Sequence, residues 1–383
     1  MEMTLSQRWR GGTICLAVWG LVGLGLFVWA TPAEGQEAKT DVRALSRQLQ
    51  DEARAATAVS ELNQVLEKIE KLRGGGPEPA IETYLTELQA WVLHRRGEAY
   101  VQQAAEAANA NQVELSERLD KQAMQDFDAA IKLDASRWKS YHHRGVCYAL
   151  AAEFDKAQAD FSKAIELQPE YANAWFNRAE IYYEQGRYPE ALSDYDEAIR
   201  LQDDDAGYYT GRAHTYFQTG KLEKALADYN QAVKLDPESP DRLTNRGDCY
   251  RSLGDWDRAA NDFRKAIELD DQFGRAFQSA AWMMATCPAE EYRNPKLALR
   301  AAQKAIELDG DADYIYVDTL AAAWANAGQF DKAQDVMRRA LVLAPAENKS
   351  ALEKRFGLYK AGKAYRQAVD APARRVASRP KNR

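Results

Sequence analysis

A period of 34 residues, kept without a gap through residues 138–273, leaves this chain few ways to fold. Four segments show it: YHHRGVCYALAAEFDKAQADFSKAIELQP, WFNRAEIYYEQGRYPEALSDYDEAIRLQD, YTGRAHTYFQTGKLEKALADYNQAVKLDP and LTNRGDCYRSLGDWDRAANDFRKAIELDD. Tyr141, Trp175, Tyr209 and Leu243 are followed four places on by Gly145, Ala179, Ala213 and Gly247, then three later by Tyr148, Tyr182, Tyr216 and Tyr250. Steps of four and three keep side chains on one face of a helix. A second stripe follows a short turn, often with glycine: Ala157, Ala191, Ala225, Ala259; then Phe161, Tyr195, Tyr229, Phe263; then Ala164, Ala198, Ala232, Ala266. Each unit is therefore read as a helix pair, with small residues where the helices approach and aromatics around them. One pair alone cannot bury such faces, whereas stacked pairs bury them continuously.

These offsets resemble the tetratricopeptide-repeat family, whose consensus carries large apolar, small, Tyr, Ala, Phe/Tyr, Ala and Pro residues at the same places. Pro169, Pro237 and Pro345 match the terminal proline, while Asp203 and Asp271 replace it and still suit a helix-ending turn. The resemblance implies an all-α, right-handed helical-repeat solenoid of about seven helix-turn-helix units with helical caps. The repeats fall at about 90–137, 138–171, 172–205, 206–239, 240–273, 274–312 and 314–347, within an array spanning 80–347. The first carries roughly fourteen extra residues around EAANANQVELSERL, judged against the usual repeat spacing. The sixth carries a short insertion near CPAEEYRN. Insertions in a solenoid emerge on one face, so both are candidate contact loops.

Outside the array, Val42, Leu45, Leu49, Val59, Leu62, Leu66 and Ile69 recur at helical spacing before GlyGlyGly at 74–76, and 40–76 reads as an N-terminal helical cap. Residues 348–370 read as a C-terminal capping helix and 371–383 as a disordered basic tail. Residues 11–33 carry no charge, follow Arg8 and Arg10, and include TICLAVWGLVGLGLFVWA. Residues 1–33 therefore read as an export signal or an uncleaved anchor, with membrane association through 11–30. Either reading puts the remainder outside the cytoplasm, periplasmic, secreted or anchored in the cytoplasmic membrane. The net charge of −7 argues against nucleic acid as the main partner, since phosphate binding needs a basic stripe. If the segment carrying Cys15 is cut, Cys147, Cys249 and Cys287 remain, an odd set, and the first two stand three units apart, too far for a bridge, so they read as small packing residues.

A charged pair recurs with the repeat. Arg96, Arg144, Arg178, Arg212 and Arg246 hold the seventh place of repeats one to five, and Asp126, Asp160, Asp194, Asp228 and Asp262 hold the twenty-third. Both vanish together, leaving Ala280 and Ala301 in repeat six and Leu320 and Val336 in repeat seven. This predicts a ladder of ion pairs across the helix interfaces, serving register and not catalysis.

In the resembled family, places two, five, six, nine and twelve of the first helix line a concave groove. Here they give Lys139, His142 and His143; Asn173, Phe176, Asn177, Glu180 and Tyr183; Thr210, His214 and Phe217; Asn245, Asp248 and Arg251; Arg275, Gln278 and Trp282. A wall of aromatics and amides suits an extended or helical peptide, the aromatics as anchors. Some family members hold C-terminal carboxylates with a Lys and Asn clamp over three repeats. The corresponding places around Asn177 hold His142, Val146, Gly207 and Gly211, and around Asn245 they hold Thr210, His214, Arg275 and Ser279, so that pattern is not assembled. His143 and Cys147 stand four apart, but no third metal ligand follows at a diagnostic spacing. No phosphate loop, nucleophile elbow or other catalytic constellation is evident, and no cofactor is implied. The expectation is a non-catalytic scaffold or adaptor for an unidentified protein or peptide. The alternatives are a membrane-tethered assembly factor of an envelope complex and a binder of a non-protein ligand such as a glycan.

Overall fold

Apolar stripes stepped by three and four residues become helices in the computed structural model, which describes residues 38–368. Those residues form 17 α-helices and one short 3-10 turn, with no strand among them. The chain divides after Gln202 into two compact units. The export or anchor segment at 1–33 and the basic tail at 371–383 lie outside the described residues. No described helix is long and apolar enough to cross a membrane.

The first unit begins with α1 (Ala38–Ala55), α2 (Val59–Gly74) and the long α3 (Pro79–Asn109). Pro79 opens α3 at a first-turn position, where the missing N–H has no partner to lose. Leu49, Ala53, Leu62, Val65, Ile69, Leu85, Leu88 and Val92 form one buried cluster, so the N-terminal cap shares the first half of α3. Three helix pairs complete the unit: α3 with α4 (Val113–Leu133), α5 (Trp138–Leu150) with α6 (Phe154–Leu167), and α7 (Ala172–Glu184) with α8 (Tyr188–Leu201).

The extra residues of the first repeat are not a contact loop. α3 runs on to Asn109 and α4 starts at Val113, with Asn111 turning the chain at φ +57°. Ala104, Ala107 and Leu119 pack together beneath Tyr100 and Leu115, so the insertion lengthens both helices by adding apolar places at helical spacing.

The second unit contains α9 (Ala206–Gln218) with α10 (Leu222–Leu235), α11 (Pro240–Ser252) with α12 (Trp256–Leu269), α13 (Gly274–Thr286) with α14 (Pro295–Asp309), and α15 (Tyr314–Asn326) with α16 (Phe330–Leu343). The insertion in repeat six does leave the helices, as the turn at Glu290–Tyr292. α17 (Ala346–Lys360) closes the array, and its Leu352 and Tyr359 join the buried cluster of Val317, Ala321 and Met337.

The capping helix is shorter than 348–370. It stops at Lys360 because Gly362 adopts φ +66°, with Lys363 N–H donating to Leu358 at 2.9 Å and Gly362 N–H to Tyr359 at 3.1 Å. Those two bonds satisfy the last carbonyls of the helix, as a left-handed glycine after a helix commonly does. Residues 363–368 continue without helical structure.

The small place of the repeat is set by contact with the aromatic of the second helix. A Cβ added at Gly97, Gly145 or Gly247 would lie 2.6 Å from Phe127, 2.8 Å from Phe161 or 2.6 Å from Phe263. Where the small residue is Ala179 or Ala213, the aromatic is Tyr195 or Tyr229. Tyr195 donates its hydroxyl to Glu180.

Candidate ligand groove

The five arginines of the seventh place each grip the aspartate of their own repeat with two parallel hydrogen bonds. Nε and Nη2 reach Asp126 at 2.7 and 2.6 Å from Arg96, and Asp160 at 2.7 and 2.7 Å from Arg144. They reach Asp194 at 2.7 and 2.9 Å from Arg178, Asp228 at 2.7 and 2.7 Å from Arg212, and Asp262 at 2.7 and 2.8 Å from Arg246. All five aspartates are buried, and the arginines keep only a small exposed edge. In repeat three the Arg178 guanidinium lies over Trp175 at 5.0 Å and Tyr182 at 5.7 Å, so the residues at i−3 and i+4 cover its faces. The Asp160 hydrogen bond holds the Arg144 guanidinium above its ordinary range.

A third bond turns the pairs of Arg96, Arg144, Arg178 and Arg246 into joints with the preceding helix pair or cap. Arg144 Nη1 reaches Asp128 at 2.5 Å, Arg178 Nη1 reaches Ser162 at 3.0 Å and Arg246 Nη1 reaches Asn230 at 3.3 Å. Each acceptor stands two residues after the ladder aspartate of the preceding repeat. Arg96 does the same to Asn63 of α2 at 2.6 Å, so α2 plays the part of a preceding second helix. Sequence pairing pointed to the aspartates; the bridging acceptors Asp128, Ser162 and Asn230 were missed, although they hold one place of the repeat as short polar residues.

Many residues expected on the groove wall are instead covered. His142, Phe176, Asn177, Glu180, Tyr183, Thr210 and Asn245 are all buried, and this corrects the expectation of an open aromatic wall in the third repeat. Phe176 packs against Tyr195 at 5.9 Å between ring centres and Tyr183 against Tyr188 at 5.7 Å. Asn177 bonds His142 Nε2 at 2.8 Å, and Thr210 returns its hydroxyl to the Ala206 carbonyl at 2.8 Å. The cover comes from close packing: Phe176 and Glu180 meet Tyr195, and Tyr183 meets Tyr188, on the second helix of their own repeat, while His142 and Asn177 face each other from successive first helices. Lys139 is exposed, and His143, Asn173, His214, Phe217, Asp248, Arg251, Arg275, Gln278 and Trp282 are half-buried. His214 sets its ring edge on Tyr229 at 5.6 Å.

In repeats five to seven these half-buried groups form a bonded wall. Arg275 reaches Asp241 at 2.8 Å and Asn245 at 2.6 Å, Ser279 reaches Asp248 at 3.2 Å, and Gln278 reaches Thr319 at 2.7 Å. Although burial works against it, the neighbouring Asp241 and Asp248 hold the Arg275 guanidinium above its ordinary range. The chain's own residues after α17 lie on this wall. Gln367 N–H donates to the Thr286 carbonyl at 2.8 Å, Arg251 Nη1 donates to the Gln367 side chain at 2.8 Å, and Arg366 reaches the Ala285 carbonyl at 3.0 Å. Tyr365 faces Trp282 at 6.0 Å, and Arg355 sits 5.4 Å from the Trp282 ring while pairing with buried Asp318 at 3.1 and 2.7 Å. The sequence reading placed 363–367 in a helix and so missed this contact; Gly362 was the available signal.

A second cluster was also missed. His94 and Glu98 of α3 and His143 of α5 bring one ligand-type atom each within 4.8 Å of one another. Burial acts to raise the Glu98 carboxyl, but the contact with His94 and the charges of His94, His143 and Arg95 hold it down at about 2. Burial pushes His143 down to about 4. Cys147 takes no part: it packs with Ala123 and Phe127, and burial pushes its thiol up to about 12. Cys249 and Cys287 are likewise buried and free. The i, i+4 spacing of His94 and Glu98 was visible, but the extra residues of repeat one hid the register that brings His143 beside them.

Family models for the tetratricopeptide repeat match residues 148–206 and 240–273, and one for the TPR repeat matches 213–250. No curated protein matches the chain. Among solved structures, the APC/C hetero-tetramer Cut9–Hcn1 is similar over 82% of this chain and 55% of that chain, at 17% identity and a TM-score of 0.53. Yeast Tom70 is similar over 93% and 69%, at 18% identity and a TM-score of 0.47. YrrB, described as a TPR protein with an unusual peptide-binding site, is similar over 47% and 90%, at 20% identity and a TM-score of 0.37. With the repeat models matching inside the region of 34-residue period and the described residues folding as an all-α helical repeat, the chain carries tetratricopeptide repeats.

Proposed function

We propose that the chain is a non-catalytic scaffold that holds an extended segment of a protein partner along the inner helices of its repeats, outside the cytoplasm. The observation that carries this reading is the seating of residues 363–367 on α11 and α13. A non-helical stretch of chain is held there by one main-chain bond from Gln367 to Thr286, by Arg251 on a side-chain amide, and by an aromatic contact at Trp282. Such a mixture suits peptide recognition: backbone bonds tolerate many sequences, and an aromatic anchor adds affinity. The extracytoplasmic setting rests on the uncharged run at 11–33 after Arg8 and Arg10.

The test is photo-crosslinking in the source cells, with a photoreactive residue placed in the full chain at Trp282 and, separately, at exposed Lys265 of α12. Discrete intermolecular adducts from position 282 that are absent at 265 are expected. Equal adducts from both positions, or none from 282, would remove the groove reading. Protease digestion of spheroplasts tests the location: a chain protected in intact spheroplasts and cut only after lysis would place it inside the cytoplasm.

A further inference from the structure

The sequence holds four histidines, and three of them, His94, His142 and His143, meet where the first two repeats stack. The rings of His94 and His143 are 5.3 Å apart, and those of His142 and His143 are 5.2 Å apart. His142 is committed to packing, since its Nε2 bonds Asn177 at 2.8 Å. The other two face a carboxylate: Glu98 Oε1 lies 3.3 Å from His94 Nε2 and 3.5 Å from His143 Nε2. We propose that His94, Glu98 and His143 bind one divalent transition-metal ion of the zinc class, with water in the fourth position.

The spacing fits the ion. Zinc bonds of about 2.0–2.1 Å in a tetrahedron put neighbouring donor atoms about 3.3 Å apart. Two edges of the triangle have that length already, and the third closes by rotation of side chains whose atoms are all within 4.8 Å. Two imidazoles and one carboxylate are a donor set suited to zinc and its divalent neighbours.

The surroundings prepare the donors. His94 Nδ1 lies 3.0 Å from the hydroxyl of buried Ser140, which fixes the ring when Nδ1–H donates and leaves the lone pair on Nε2. That Nε2 is buried and makes no hydrogen bond of good geometry, its near polar neighbour being the Glu98 carboxylate at 3.3 Å, which cannot donate to a ring lone pair. Access is through Glu98, whose side chain keeps about a third of its surface open, and His143, which keeps about a sixth. The site lies at groove places five and nine of repeat one and six of repeat two, and it stands independently of the peptide reading.

The experiment is calorimetric titration of the full chain, purified without a histidine tag, with zinc sulfate, followed by cobalt(II) absorption spectroscopy. One ion per chain and an intense visible cobalt band are expected. His143→Ala and Glu98→Gln should each weaken zinc binding at least tenfold with an unchanged far-UV spectrum, while His214→Ala should leave it as it was. Absence of stoichiometric binding overturns the site, as does binding that survives both substitutions or falls equally with His214→Ala. Glu98→Gln keeps the shape of a half-exposed side chain, so it reads the ligand even if His143→Ala disturbs packing.

Discussion

In repeat three Arg178 and Asp194 close a bidentate pair between the two helices, and Arg178 also reaches back to Ser162. In repeat six the same places are Ala280 and Ala301, and the repeat is held by Ala281, Ala285, Ala298 and Ala302 packed against Ala322 and Ala323. One helical pattern is thus stabilised in two ways. An apolar interface is tolerant of sliding, whereas a pair with a fixed fork admits one register, at the cost of desolvating two charges. The ladder runs through the four regular repeats, where similar units follow each other and slippage by one unit is cheapest, and extends to the longer repeat one. Repeats six and seven differ from their neighbours in sequence and are closed by α17, whose Arg355 supplies the buried Asp318 with its partner.

The sharpest way to break the comparison is to strand one charge. Arg178→Ala leaves Asp194 buried without its partner and should cost about 3 kcal/mol, the low end for a broken buried pair because the guanidinium keeps an exposed edge. Arg178→Met combined with Asp194→Leu imitates repeat six and should cost less than half as much. Urea unfolding followed by far-UV circular dichroism measures both, and equal losses would mean that the pair acts as two independent side chains.

Arg355→Ala makes the matching test in the C-terminal repeats, with an expected loss of about 3 kcal/mol, since Arg355 keeps a similarly small exposed edge. Burial pushes the Asp318 carboxyl up from its ordinary value, with Arg355 pulling it back. A carboxyl whose folded pKa lies above its unfolded value contributes stability at low pH and loses it as pH rises through the folded pKa. The deficit of Arg355→Ala should therefore be larger at pH 7 than near pH 4. A deficit that grows on acidification would show that Asp318 is held ionised by something other than Arg355.

Much of this was legible in the sequence because the repeat reports on itself. The 34-residue period located the helix pairs, and the joint loss of Arg and Asp at repeats six and seven singled out residues that the structure brings within hydrogen-bond distance. The groove was less legible. Place numbers say which face a residue occupies, but they cannot say how closely the next helix covers it, and Phe176, Asn177 and Tyr183 are covered. Contacts made once in the chain, such as Tyr365 on Trp282 or His143 beside Glu98, leave no period at all.

The small place of the repeat gives a finer contrast. Gly145→Ala drives a methyl to 2.8 Å from the Phe161 ring and should destabilise by about 1–3 kcal/mol, since overpacking a close contact displaces the ring. Ala179→Gly, where the partner is Tyr195, should cost only about 1 kcal/mol of helix propensity. Thermal melts of the two variants distinguish them, and a larger loss for Ala179→Gly would mean that the glycines of places equivalent to Gly97 and Gly247 are not there for the phenylalanines.

The smallest effect has the opposite sign. The first helices of repeats three, four, five and seven end on Gly186, Gly220, Gly254 and Gly328 at φ between +71° and +77°, while repeat two ends on Ala152 at φ +57°. Its hydrogen bonds are those of the glycine turns, with Glu153 N–H on Tyr148 at 2.8 Å as Arg187 N–H is on Tyr182 at 2.8 Å. An alanine in the left-handed region brings Cβ against its own backbone at about 1 kcal/mol, a cost that glycine does not incur. Ala152→Gly should therefore stabilise the chain by a few tenths to about 1 kcal/mol, the gain reduced by the freedom that glycine adds to the unfolded state. The same substitution at Ala151, which stays on the helical side of the turn at φ −82°, should destabilise instead, so a pair of melts that moved in the same direction would separate repeat two from the turn geometry of its neighbours.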